Sequence, residues 1–86
     1  MNLTFTPSAW EDYQWFVQHD RKLLKRINQL IQEILRTPLE GIGKPEPLKG
    51  DLSGYWSRRV NDEHRLVYAA KANDVIVIAC RYHYGS

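Results

Sequence analysis

One cysteine, Cys80, is all the chain has, so no intrachain disulfide can form among its 86 residues. Set in an apolar run, such a thiol reads as core filler and suits a reducing, cytoplasmic setting. No apolar stretch approaches the roughly 20 residues a membrane span needs. Met1 leads into Leu3-Thr4-Phe5 with nothing resembling a signal peptide, so neither a membrane nor export is expected. No glycine-rich phosphate loop precedes a helix, and no nucleophilic serine elbow is present. His19, His64 and His83 are too scattered for a metal, so neither metal nor cofactor is expected. Repeats and low-complexity tracts are missing too, which leaves a single domain over residues 1–86. Charge of one sign is also scarce. The net is +2, and all of the excess lies in residues 36–86, which hold eight basic and six acidic side chains. That excess permits contact with nucleic acid without demanding it.

The apolar pattern that is present gives the order β-α-α-β-β-β. Asn2 to Thr6 alternates as a short half-buried strand. Ser8 and Glu11 stand at capping-box spacing behind Pro7, and Trp10, Tyr13, Phe16 and Val17 form a helical core stripe. Asp20 can cap a second helix, whose Leu23, Leu24, Ile27, Leu30, Ile31, Ile34 and Leu35 share one face until Pro38 stops it. Thr37 to Gly54 has no period, but Pro45 and Pro47 stiffen both sides of Glu46, which suggests a positioned loop. Strands are expected at Tyr55–Val60, His64–Ala70 and Val75–Tyr84, joined by turns at residues 61–63 and 71–74. The expected fold is therefore α+β, a helical hairpin packed on an antiparallel sheet.

The last strand runs past its apolar residues into Arg81-Tyr82-His83-Tyr84, a cation, an imidazole and two phenols at the rim of a small sheet. The other polar groups that could meet there are Glu46, Lys49, Arg58, Arg59 and Arg65. Strand alternation puts Arg65, Val67 and Ala69 on one face, and Arg81 with His83 on a face of their own strand. Whether Arg59, Arg65 and His83 share a single face turns on two turn registers. A carboxylate, an imidazole and several guanidiniums suit attack of a ribose 2′-hydroxyl on its own 3′-phosphate. That reaction needs a base for the hydroxyl, an acid for the leaving 5′-oxygen, and cations for the phosphorane charge. Arginine forks match phosphate oxygens in pairs, and DNA lacks the nucleophile, so the target would be RNA. Tyr82 and Tyr84 could stack bases.

Four blocks of this chain resemble one family: Lys44-Pro45-Glu46-Pro47-Leu48-Lys49, Trp56-Ser57-Arg58-Arg59, His64-Arg65-Leu66-Val67-Tyr68 and Cys80-Arg81-Tyr82-His83-Tyr84. In this order they look like the YoeB toxins, in the RelE-like group of bacterial toxin–antitoxin systems. Trp10, Asp12-Tyr13 and Ile27-Asn28 extend the likeness across the chain. The resemblance implies a microbial-RNase-like fold and a cytoplasmic endoribonuclease that cuts mRNA in the A site of the translating ribosome, leaving a 2′,3′-cyclic phosphate. It further implies Glu46 as general base, His83 as general acid and Arg65 on the scissile phosphate. Lys49 and Arg59 would support the charge, with Arg58 and Arg81 as further phosphate contacts and Tyr84 completing the site. A YefM-like antitoxin and a homodimer are the implied partners. The family commonly ends at the tyrosine matching Tyr84, whereas here Gly85-Ser86 follow, which leaves the phenol rather than a terminal carboxylate for the site. Two other readings remain: a non-catalytic, gyrase-poisoning toxin of the ParE kind on the same fold, and an RNase that needs no ribosome.

Overall fold

The computed structural model describes residues 1–82. In chain order the elements are β1 (Asn2–Phe5), α1 (Pro7–His19), α2 (Arg21–Arg36), β2 (Glu46–Pro47), β3 (Trp56–Arg59), β4 (Arg65–Lys71) and β5 (Asp74–Ala79), with a short 3-10 turn at Gly50–Leu52. The helical hairpin and the sheet are as the sequence pattern predicts. The sheet order is β1-β5-β4-β3-β2. It is antiparallel from β2 through β5, and β1 joins β5 in parallel.

Each helix begins where a side chain answers its first open amides. Thr6 Oγ1 accepts from the Ala9 N–H at 3.2 Å, with Pro7 in the first turn, so Thr6 rather than Ser8 is the cap of α1. Proline at the first helical position lacks the N–H that would otherwise go unpaired, so the helix starts two residues before the expected box. Asp20 caps α2 as expected, accepting from Leu23 N–H at 3.0 Å. Ile27, Leu30, Ile31 and Ile34 of α2 pack with Phe16 of α1 against Leu66, Tyr68, Val75 and Val77 of the sheet. Trp10 departs from the expected core stripe: it is 51% exposed. There it stacks on Tyr13 at 5.7 Å, beside a shallow apolar groove lined by Leu3, Phe5, Ile31 and Leu35.

Two further expectations are corrected. The positioned loop from Thr37 to Gly54 also contributes a fifth, edge strand, since Glu46–Pro47 pairs with β3. The prolines that hide this strand in the sequence are tolerated because an edge residue can leave its amide unused. The last strand stops at Ala79 rather than running to Tyr84. A bulge opposite Val67/Tyr68 shifts its register, and Asp12 Oδ2 then accepts the Cys80 N–H at 3.1 Å, taking the chain out of the ladder. Tyr82 sits at φ +63°, so the tail bends instead of continuing extended.

Candidate active site

The first of the two open registers, across the turn between β3 and β4, now has a value. Arg59 stands directly opposite Arg65, Ser57 opposite Val67, and Glu46 opposite Ser57. Paired residues share a face, as do residues two apart along a strand. Glu46, Arg59 and Arg65 therefore lie on one face of the sheet, while Trp56, Arg58, Leu66 and Tyr68 face the helices. Of the three residues whose common face was left to turn geometry, this puts Arg59 and Arg65 together. His83 and Tyr84 lie outside the described residues.

Glu46 is exposed on β2, and with Pro47, Leu48 and Lys49 it borders a depression of about 350 Å3. Leu48 is buried and its N–H donates to Tyr55 O at 2.9 Å, which fixes the segment carrying the carboxylate and the exposed Lys49. Arg59 is half-buried and ion-paired with exposed Asp62. Such a pair contributes at most about 1 kcal/mol, little enough for a phosphate to displace it. Its backbone is held more firmly, with the N–H donating to Gly43 O at 2.7 Å and the carbonyl accepting from Arg26 Nη2 at 3.3 Å. Gly43 must be glycine: φ is +84°, and a Cβ there would stand 2.7 Å from Leu30 Cδ2. Around this contact Arg26, Lys44 and Arg59 border a hollow of about 320 Å3 on the flank of the sheet.

Arg65 is anchored through one end of its fork. Nη1 donates to Asn61 O at 2.6 Å and to His64 O at 3.0 Å, both within the turn before β4. That turn is itself tied by Asn61 Oδ1, which accepts from the Glu63 and His64 amides at 2.9 and 2.7 Å. Carbonyls at Nη1 orient the plane without neutralising its charge, so the cation stays available to an anion.

Two arginines expected at the phosphate are placed elsewhere. Arg58 is fully buried on the helix side of β3, because the strand's alternation turns it away from Arg59. Its Nη2 donates to Thr37 O and Glu40 O at 2.7 and 2.8 Å, Nη1 to Ile42 O at 3.1 Å and Nε to Tyr68 Oη at 3.1 Å. Tyr68 in turn donates to Pro38 O at 2.6 Å. The guanidinium is consumed in holding the loop after α2, and it cannot meet a phosphate. Arg81 lies over Trp15 of α1, its guanidinium carbon 3.9 Å from the ring centroid, and donates to Tyr82 Oη at 2.8 Å. That cation–π stack replaces the strand position in which a phosphate role was expected.

Sequence reasoning set aside His64, which the structure buries at the junction of α1, β4 and the tail. It also gave Asp12 no role, although its carboxylate ends β5. The clue for both was polar character at positions adjoining apolar blocks. Burial pushes the Cys80 thiol up to about 12, with the Asp12 charge adding to the effect. It also raises the Tyr68 phenol, against the pull of Arg58. Among the described residues, no three or more His, Cys, Asp or Glu side chains gather as metal ligands. No helix there is long and apolar enough to cross a membrane.

Known proteins share both this sequence and this shape. The family described as YoeB-like toxin of bacterial type II toxin-antitoxin system matches residues 5–84. A Synechocystis protein named Toxin YoeB is 62% identical over 98% of each chain. An Escherichia coli protein of the same name is 51% identical, covering 98% of this chain and all of its own. Among solved structures, the YoeB/ParE toxin from Agrobacterium tumefaciens superposes with a TM-score of 0.94 at 49% identity, covering 98% of this chain and 100% of that one. The toxin in a YoeB-YefM complex from Staphylococcus aureus gives 0.90 at 53% identity over 98% of each chain. A YoeB dimer from the same organism gives 0.91 at 54%, again over 98% of each. The chain thus belongs to the YoeB-like toxins of bacterial type II toxin–antitoxin systems.

Proposed function

We propose that this toxin is a metal-independent endoribonuclease that cuts mRNA in the ribosomal A site during translation. The observation that carries the reading is the shared face of Glu46, Arg59 and Arg65. Glu46 takes the proton of the ribose 2′-hydroxyl as its oxygen attacks the adjacent phosphorus. The bond from phosphorus to the 5′-oxygen then breaks, and that oxygen receives a proton from His83. The products are a 2′,3′-cyclic phosphate and a free 5′-hydroxyl. Arg65 binds the phosphoryl oxygens, Arg59 and Lys49 stabilise the added negative charge, and the Tyr84 phenol completes the site. Base and acid each contribute on the order of a hundred- to ten-thousandfold. The hollow beside Arg26 and Lys44 suits a neighbouring phosphate of the same strand.

A net charge of +2 gives little general grip on RNA, which favours a substrate presented by the ribosome over naked RNA. Because relatives are named as a YoeB-YefM complex and as a YoeB dimer, the same assemblies are proposed for this chain, with a YefM-like antitoxin as the neutralising partner. Primer extension on a defined mRNA, with and without translating ribosomes, tests the reading. Cleavage at one position of the A-site codon, only with ribosomes, is expected. Intact mRNA under both conditions, from folded protein, would overturn it and direct attention to a protein target.

A further inference from the structure

His64 is buried, with 4% of its surface exposed, yet both ring nitrogens face polar atoms. Phe16 of α1 meets the ring edge-on at 5.1 Å. Nδ1 accepts the Tyr82 N–H at 2.7 Å, and Nε2 lies 3.5 Å from Glu63 Oε1. One residue later the Arg65 N–H donates to Tyr82 O at 3.0 Å. Both backbone polar groups of Tyr82 are therefore gripped by consecutive residues at the start of β4. They hold Tyr82 at φ +63°, a left-handed conformation that side-chain-bearing residues rarely adopt. Because Nδ1 is an acceptor, the ring proton belongs on Nε2, directed toward Glu63.

We propose that His64 is a positioning residue for the reaction: as the Nε2–H tautomer it holds the Tyr82 amide, and so fixes the backbone from which the next residue in sequence, His83, continues. This rests on His83 being the general acid, but that role alone assigns nothing to His64. Misplacing an acid by about 1 Å can cost about a hundredfold. The tie is made beside Arg65, so Arg65 and the residue before the acid share one two-residue anchor.

Three variants separate this from mere packing. Phenylalanine (His64→Phe) keeps the ring volume and loses both nitrogens. Asparagine (His64→Asn) restores an acceptor near the place of Nδ1, and glutamine (His64→Gln) puts its amide near the place of Nε2. The full chain carrying each is compared with wild type in ribosome-dependent cleavage, with thermal midpoints recorded alongside. We expect kcat about a hundredfold lower with KM nearly unchanged for the Phe and Gln variants, and most of the rate recovered by Asn. In 15N-labelled wild type, a coupling across the Tyr82 N–H to Nδ1 and a proton on Nε2 are expected. A folded Phe variant with wild-type kcat, an Asn variant no better than Phe, or a proton found on Nδ1 would overturn the proposal. His83→Ala with full activity would instead overturn the reading on which it rests, whatever the His64 spectra show.

Discussion

Arg58 and Arg59 are neighbours in sequence with opposite fates. One is spent on carbonyls inside the molecule, and the other stands on the face that carries Glu46 and Arg65. Strand alternation carried that distinction in the sequence, but only once β3 is known to have a helix-covered face. The two arginines look alike until burial separates them. Replacing Arg58 by methionine leaves Thr37, Glu40 and Ile42 carbonyls without their donor. Urea titration should show a loss of about 3 kcal/mol, which lysine would not restore because a single ammonium cannot reach four acceptors. Glu46→Gln keeps the shape of the edge strand, so it should lower cleavage at least a hundredfold while the thermal midpoint stays put. Cys80 adds to the loss of stability at alkaline pH. Its folded pKa is raised, so its contribution is fully present below pH 9 and is lost as pH climbs toward about 12. The three units correspond to about 4 kcal/mol. Denaturation at pH 8 and pH 11 should show a steeper loss for wild type than for Cys80→Ala.

At the scale of elements, the long helices and the central strands could be read from period alone, because their apolar faces are wide and their burial is one-sided. Boundaries held where a single local rule applied, as at Asp20, and slipped where two competed. At the start of α1 both Thr6 and Ser8 can cap, and the fixed φ of Pro7 decides for Thr6. Thr6→Ala should therefore cost about 1 kcal/mol in thermal unfolding, and Ser8→Ala at most about 0.5 kcal/mol. β2 was invisible because a two-residue strand has no period, and because its order comes from β3 rather than from itself. The end of β5 was equally hidden. The apolar run continues through Cys80, and it is a carboxylate from α1, 68 residues earlier in the chain, that ends the ladder.

For the molecule as a whole, charge is too nearly balanced to hold RNA by itself. Fluorescence anisotropy on a naked single strand at physiological salt should give a Kd no tighter than about 10⁻⁶ M. Nanomolar binding there would remove the need for the ribosome to present the substrate. Carboxylate, imidazole and guanidinium could be read from the sequence as a set suited to one reaction, whereas the common face of Glu46, Arg59 and Arg65 depended on strand registers that spacing does not give. The longest-range pairing of the sheet is a different one, between β1 and β5. β1 can dock only on β5, Leu3 beside Val75, and Thr4 Oγ1 donates to Asp74 Oδ1 at 2.9 Å. During synthesis β1 and both helices emerge before the strand that β1 pairs with. A nascent chain therefore has no finished sheet until Asp74–Ala79 has been made, although β1 and both helices emerged long before it.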